Sequence, residues 1–401
     1  MLNRRTFLRN SAAVLAGVGG SSLWLSEAAA QSTKRKKVLV VLFQRGAADG
    51  LNIAVPFSDS GYYNLRPTIA MQPPGKPNGV IDLDGRFGLH PALKPLKSLW
   101  DSGQFAIVEA TGSPDSSRSH FDAQEFMESG TASAKTPDGW LNRAMKTSQF
   151  PTSTFRVVST GSNLPLTLRG ETNVTAVGDL AKIQLGTGAS AIFENMYLSS
   201  ADSEINKVGK DAFDLLRKVE SINGLPYAPS EGVRYFQNPE GQGLLQIARL
   251  IKADMGLEAA FVEIGGWDHH TNLTSSLSAM LNNLANALSA FTTDMGDRME
   301  DVVLVTMSEF GRTARENGNG GADHGHGSLM MAIGGPVRGG KVYGDWPGLA
   351  NEQLFQGRDL AVTTDYRDVL SEILTRHMGV TDLSRVFPGY PSQKTLGFIR
   401  S

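Results

Sequence analysis

The 401-residue chain has no cysteine. No disulfide can staple it in any compartment, so its stability must come from core burial. The same absence removes thiolate ligands and the cysteine of a lipobox. A metal site here must be built from His, Asp, Glu, Asn or hydroxyl groups, which suit zinc, manganese, magnesium or calcium. Excess charge of one sign is also missing, with 38 basic against 40 acidic residues and a net of −2. Dropping residues 1–30 removes Arg4, Arg5, Arg9 and Glu27, which leaves 35 against 39, a net of −4. That is no electrostatic footprint for nucleic acid or an anionic lipid surface. Repeats and low-complexity linkers are absent too, which favours one large domain for the roughly 370 residues that remain.

What is present begins with a leader. Arg4-Arg5, then Phe7-Leu8, precede a short apolar core and the small residues Ala28, Ala29 and Ala30. This resembles a twin-arginine export signal cleaved after Ala30. It implies a signal peptide over residues 1–30, passage through the twin-arginine translocase, and a periplasmic or secreted destination. No membrane span is expected after cleavage, because five Gly and Ser between Gly17 and Ser22 weaken the core as an anchor.

Several short apolar runs read as strands buried on both faces: "KKVLVVLF" (36–43), "FAIVEA" (105–110), "FRVVS" (155–159), "LEAAFVEI" (257–264), "DVVLVTM" (301–307) and "SLMMAIGG" (328–335). Leucines at helical spacing from Leu273 onward predict a crossover helix between the fourth and fifth runs. "DYRDVLSEILTRHMG" (365–379) predicts an amphipathic helix ended by Gly379. Strands alternating with helices imply an α/β fold, with a mostly parallel sheet covered by helices on both faces. A Gly/Ser/Thr/Asn-rich stretch at about 160–240 reads as a cap or insertion within a single domain of residues 31–401.

Polar residues collect at the ends of these runs, where open α/β sheets bind ligands. Asp49 follows the first run, and Ser117, Arg118, Ser119 and His120 follow the second at a helix start. Asp268, His269 and His270 follow the fourth, Glu309 the fifth, and Asp323, His324 and His326 lead into the sixth. Five of the seven histidines fall in these clusters, leaving His90 and His377 for structural or exposed roles. Taken alone, Asp49-Gly50 is a turn, Ser119 with Asp122 is a helix cap, and Glu309 is a carboxylate for an arginine. Taken together, they point to a metal or catalytic centre.

The stretches "FVEIGGWDHHTN", "VVLVTMSEFGR" and "HGHGSLMMAIGGP" resemble strand ends of the alkaline phosphatase and sulfatase superfamily. "RGAADGLNIAVP", "SRSHFDAQ" and "SEFGRT" are similar to a bacterial family of exported proteins without an assigned function in that superfamily. The resemblance implies an alkaline phosphatase-like fold. It implies Asp268 and His324 on a first metal, Asp49 and Glu309 on a second, and Glu263 on a third. Ser119 or Ser117 would be the nucleophile, and Arg118 a clamp for the anion. The chain departs from the superfamily at Asn272 and Phe310, so His270 and His326 are the substitute ligands it suggests. The implied activity is metal-dependent hydrolysis of a phosphate or sulfate ester, small or polymeric, with zinc the preferred ion. The alternative is a non-catalytic binding or assembly protein on a degenerate scaffold.

Overall fold

The β-branched run after the leader becomes β1 (Val38–Gln44), whose residues are all buried. Its side chains alternate between two cores: Val38, Val40 and Leu42 pack on one face, and Leu39, Val41 and Phe43 on the other. Such a strand must lie inside a sheet covered on both sides. The structure, a computed structural model, describes residues 36–132, 134–147, 155–161, 163–178, 227–390 and 394–400, with six single positions between 199 and 220. The chain separates into a unit of residues 1–36 and one of residues 37–401, and every element below lies in the second. The leader and most of the middle of the 160–240 segment lie outside the described residues.

The remaining strands are β2 (Ala54–Val55), β3 (Ile81–Asp82), β4 (Gly88–Leu89), β5 (Phe105–Gly112), β6 (Val157–Ser159), β7 (Thr175–Ala176), β8 (Ala259–Ile264), β9 (Val302–Met307), β10 (Ser328–Ile333), β11 (Lys341–Tyr343) and β12 (Thr364–Asp365). The main sheet runs β11-β5-β10-β9-β1-β8-β6-β7, with β12 added to β5. β2, β4 and β3 form a small separate antiparallel sheet. The fold is therefore α/β, with a mixed, mostly parallel sheet.

In the main sheet only β10 runs against its neighbours, antiparallel to both β5 and β9. Its first residue, Ser328, pairs with Thr111 near the end of β5. The segment that leads into β10 therefore arrives at the edge where β1, β5, β8 and β9 end. That reversal brings His324 to the other clusters.

Helices cover both faces. On one side lies Leu273–Met295, whose Leu273, Leu277, Leu281, Leu284, Leu288, Phe291 and Met295 form a buried stripe at helical spacing. It carries the chain from β8 to β9, which flank β1. The helix Pro239–Lys252 joins it, inserting Leu244, Ile247 and Leu250 into the same core. The opposite face is covered by Trp140–Lys146 and Tyr366–Arg376 through Trp140, Leu141, Tyr366, Val369, Leu370 and Ile373. Among the described residues no helix is long and apolar enough to cross a membrane.

A candidate metal centre at the carboxyl edge of the sheet

Three loops meet beyond the strand ends. His120 opens the helix His120–Ser129, Asp268 and His270 follow β8, and His324 precedes β10. Ligand atoms of His120, Asp268 and His324 all lie within 4.8 Å of one another. Nε2 of His324 is 3.0 Å from Nε2 of His120 and 3.0 Å from Nε2 of His270. Oδ1 of Asp268 lies 3.3 Å from His324, 3.1 Å from His270 and 3.5 Å from His120, each measured to Nε2. These side chains are between 23% and 46% exposed, so the cluster opens to solvent.

The outer partners decide what the cluster can hold. Nδ1 of His120 is 2.7 Å from Glu309 Oε1, Nδ1 of His270 is 2.9 Å from Asp323 Oδ1, and Nδ1 of His324 is 2.9 Å from the Arg118 carbonyl. Each partner is an acceptor, so each Nδ1 must donate and each neutral ring turns an Nε2 lone pair inward. Three such lone pairs facing a carboxylate oxygen repel unless a proton or cation sits among them. Ligands about 2.0–2.1 Å from a tetrahedral zinc lie roughly 3.3 Å apart, and the observed separations straddle that value. The residues fit a divalent cation.

Electrostatics follow from the same contacts. The Glu309 hydrogen bond raises the pKa of His120, whereas burial lowers that of His324. Burial would raise Asp268, but the Arg312 hydrogen bond and charge prevail and hold it at about 2. For Glu309 burial also opposes ionisation, and donors from His120 and Gln124 overcome it, so its pKa falls. Hydrogen bonds from His270 and Asn317 lower Asp323.

Backbone close to the site leaves no room for side chains. A Cβ on Gly46, where φ is 115°, would lie 2.6 Å from the Asp268 nitrogen, and one on Gly321 would lie 2.3 Å from the His270 carbonyl carbon. Both glycines allow the close approach of backbone to Asp268 and His270.

Residues 104–389 match the family described as "Protein of unknown function (DUF1501)". The chain belongs to that family. The matched span of this DUF1501 chain takes in His120, Asp268, His270, Glu309, Arg312 and His324, and Gly46 and Asp49 precede it. No curated protein matches its sequence. Among solved structures it is similar to a lipoteichoic acid synthase from Listeria monocytogenes, at 8% identity and a TM-score of 0.33, over 75% of this chain and 65% of that one. It is similar to a protein in the alkaline phosphatase superfamily from Vibrio parahaemolyticus, at 13% identity and a TM-score of 0.32, over 75% and 60%. It is also similar to a phosphonate monoester hydrolase from Silicibacter pomeroyi, at 9% identity and a TM-score of 0.39, over 89% and 78%. The chain thus spans less than two thirds of the first two. Similarities this distant leave the activity to be argued from the side chains.

The family member's other candidate residues are placed differently. Glu309, expected on a second metal, is buried and spends Oε1 on His120, Gln124 and the Gly46 N–H, and Oε2 on Ser308. Its place is behind a ligand. Asp49, its expected companion, is buried 2.6 Å from the guanidinium of Arg66. The structure does not bring Asp49 and Glu309 together around an ion. Glu263 pairs with Arg45, which also holds Glu128 at 2.8 Å. His326 is buried and stacks on Phe355 with ring centroids 4.3 Å apart, and His269 is buried beside the cluster with its Nδ1 unpartnered among the described residues. His120, placed by the sequence at the helix start beside the candidate nucleophiles Ser117 and Ser119, lies with Asp268 and His324 in the group that could hold a metal ion.

Arg118 turns its guanidinium to buried Asp359, 2.5 Å away, and to Gln356 at 2.9 Å. Ser119 caps its helix by a long 3.5 Å contact with the Asp122 N–H, and Ser117 accepts from the Ser119 N–H at 3.2 Å. Phe310 cannot ligate. It packs against His120 and His324 with centroids 5.0 and 5.3 Å away.

Sequence reasoning missed Arg312. Its buried guanidinium donates to Asp268 at 2.6 Å and to carbonyls of Gly46, Ala47, Trp267 and Ala322, tying three site loops together. The signal was available in "SEFGRT", an arginine three residues past Glu309. Gln124 was missed as well, and its place on the helix that His120 opens, one turn on, was the cue.

Proposed function

We propose that this protein is an exported, metal-dependent hydrolase of phosphate or sulfate esters that uses Ser119 as its nucleophile. One observation carries the reading: three imidazoles, each held at Nδ1 by its own acceptor, turn Nε2 toward the carboxylate of Asp268. His120, Asp268, His270 and His324 would hold the ion, and three imidazoles with one carboxylate favour zinc. When bound, the cation supplies Lewis acidity to the ester oxygen.

The chain's own groups supply the rest. Ser119 lies between Arg118, whose carbonyl holds His324, and His120 itself. Its long capping contact leaves the hydroxyl available for attack on phosphorus or sulfur. The bond from that centre to the leaving oxygen breaks as the serine ester forms, and water then releases the anion. The first-turn N–H groups of the helix His120–Ser129 would stabilise the negative charge that develops. Export by the twin-arginine route would place this chemistry in the periplasm or outside the cell.

The test is metal analysis joined to assays with p-nitrophenyl phosphate and sulfate. Expected are one zinc-class ion per chain, loss of ion and activity in Asp268→Ala, and loss of activity alone in Ser119→Ala. Full activity in both variants would overturn the proposal. A binding or assembly role has its own support, because Arg312 already lends Asp268 a cation and Phe310 lines the cluster. Metal-free purified protein whose melting temperature ignores chelator would favour that second reading.

A further inference from the structure

Beside Asp323 lies a cavity of about 220 Å³ whose lining includes Arg315, Glu316, Asn317 and Arg358. It shares one wall with the centre, since Asp323 also holds His270. Its acidic groups remain ionised, but their oxygens are already held by donors. Glu316 accepts from the Thr68 and Ile69 N–H groups and the Thr68 hydroxyl, and Asp323 accepts from His270 and Asn317. Asn317 is spent too, donating to the His270 carbonyl and Asp323 while accepting from the Asn319 and Gly321 N–H groups.

The cations are not spent. Among the described residues the exposed Arg315 guanidinium makes no hydrogen bond or ion pair, and that of Arg358 makes no hydrogen bond, with Asp359 at 3.6 Å, while its charge also acts on Asp323. Two arginines with open donors thus line this space beside two carboxylates that remain ionised, and the forked donors, not an excess of positive charge, are what would capture an oxyanion. At about 220 Å³ the cavity is smaller than the roughly 300 Å³ at which pockets for whole small molecules begin. It takes one group, not an entire substrate.

We infer that this cavity is a second anion subsite, which binds a further phosphate or sulfate group of the substrate through Arg315 and Arg358. Resting on the hydrolase reading above, it narrows the substrate class to esters with at least two anionic groups. One group would be cleaved at the centre while its neighbour is held behind Asp323.

Inorganic sulfate, titrated calorimetrically, tests this apart from catalysis. In His324→Ala, where the metal centre is disabled, sulfate should still bind saturably. Adding Arg315→Ala and Arg358→Ala to that background should weaken binding at least tenfold. Chelator-treated wild type provides the same comparison if His324→Ala does not fold. Sulfate binding that vanishes with the metal, or that persists undiminished without both arginines, overturns the subsite. Metal content and esterase activity of the wild type are measured separately. A chain that proves metal-free yet binds sulfate through these arginines would sink the hydrolase reading and leave the subsite standing.

Discussion

His324 and Arg312 are neighbours with opposite expected phenotypes. His324 is a quarter exposed, so His324→Ala should release the ion with little cost to the metal-free fold, which metal analysis and a urea melt would separate. Arg312 is fully buried and joins Asp268 to four carbonyls, so Arg312→Ala leaves an uncompensated carboxylate and several orphaned acceptors. Asp268 is half exposed, so the cost comes from the orphaned carbonyls, about 1–3 kcal/mol for each acceptor left buried without a donor, and a urea melt at fixed metal occupancy should show it. Asp323→Asn should be gentler. Losing the carboxylate behind His270 should weaken metal affinity about 10- to 100-fold, the usual range for an outer partner, as read by competition with a chelator. The residue types that meet in the cluster were legible from histidines at strand ends. Their division into inner and outer partners was not, because Glu309 and Asp49 look alike in a list and differ only in which donor stands 2.6 or 2.7 Å away.

The crossover helix Leu273–Met295 shows what can be read at the scale of an element. Its leucine stripe predicts both its existence and its buried face, and the start at Leu273 was visible in the sequence. Leu281 is fully buried, so Leu281→Ala should cost about 2–5 kcal/mol in a denaturant melt. Its exposed neighbour Asn282 should tolerate alanine, with stability changing by only a few tenths of a kcal/mol through helix propensity. β10 shows what could not be read as directly. Its composition is that of a buried strand, yet composition is blind to direction. The only hint of reversal was that the stretch from Ser308 to Gly327 carries no helical pattern, whereas parallel neighbours usually need a helical crossover. Without that reversal His324 would enter at the opposite edge from Asp268.

Over the whole molecule, stability should depend on pH and on metal. Burial lowers the pKa of both His90 and His377 to about 4, the first partly offset by Asp49 and the second by its contact with the Val38 carbonyl. The unfolded chain takes up those protons near 6.5. Below that value it binds more protons than the folded chain, so stability is complete above pH 6.5 and falls as pH drops toward 4. Each imidazole contributes up to about 1.4 kcal/mol per pH unit, and melts in a pH series should lose this slope in a His90→Gln, His377→Gln double variant. A chelator should lower the melting temperature by several degrees if an ion binds only the folded state, an effect absent from His324→Ala. By itself, the sequence determined the α/β class, the buried strands, the main helices and the residue types able to hold a cation. Those depend on local pattern, because burial sets the period of apolar side chains. Tertiary structure decided that β10 runs backward, that His120 meets Asp268 and His324, that Glu309 stands behind it, and that Arg312 binds the loops together. Such assignments rest on distances between segments hundreds of residues apart, and only the packed sheet sets those distances.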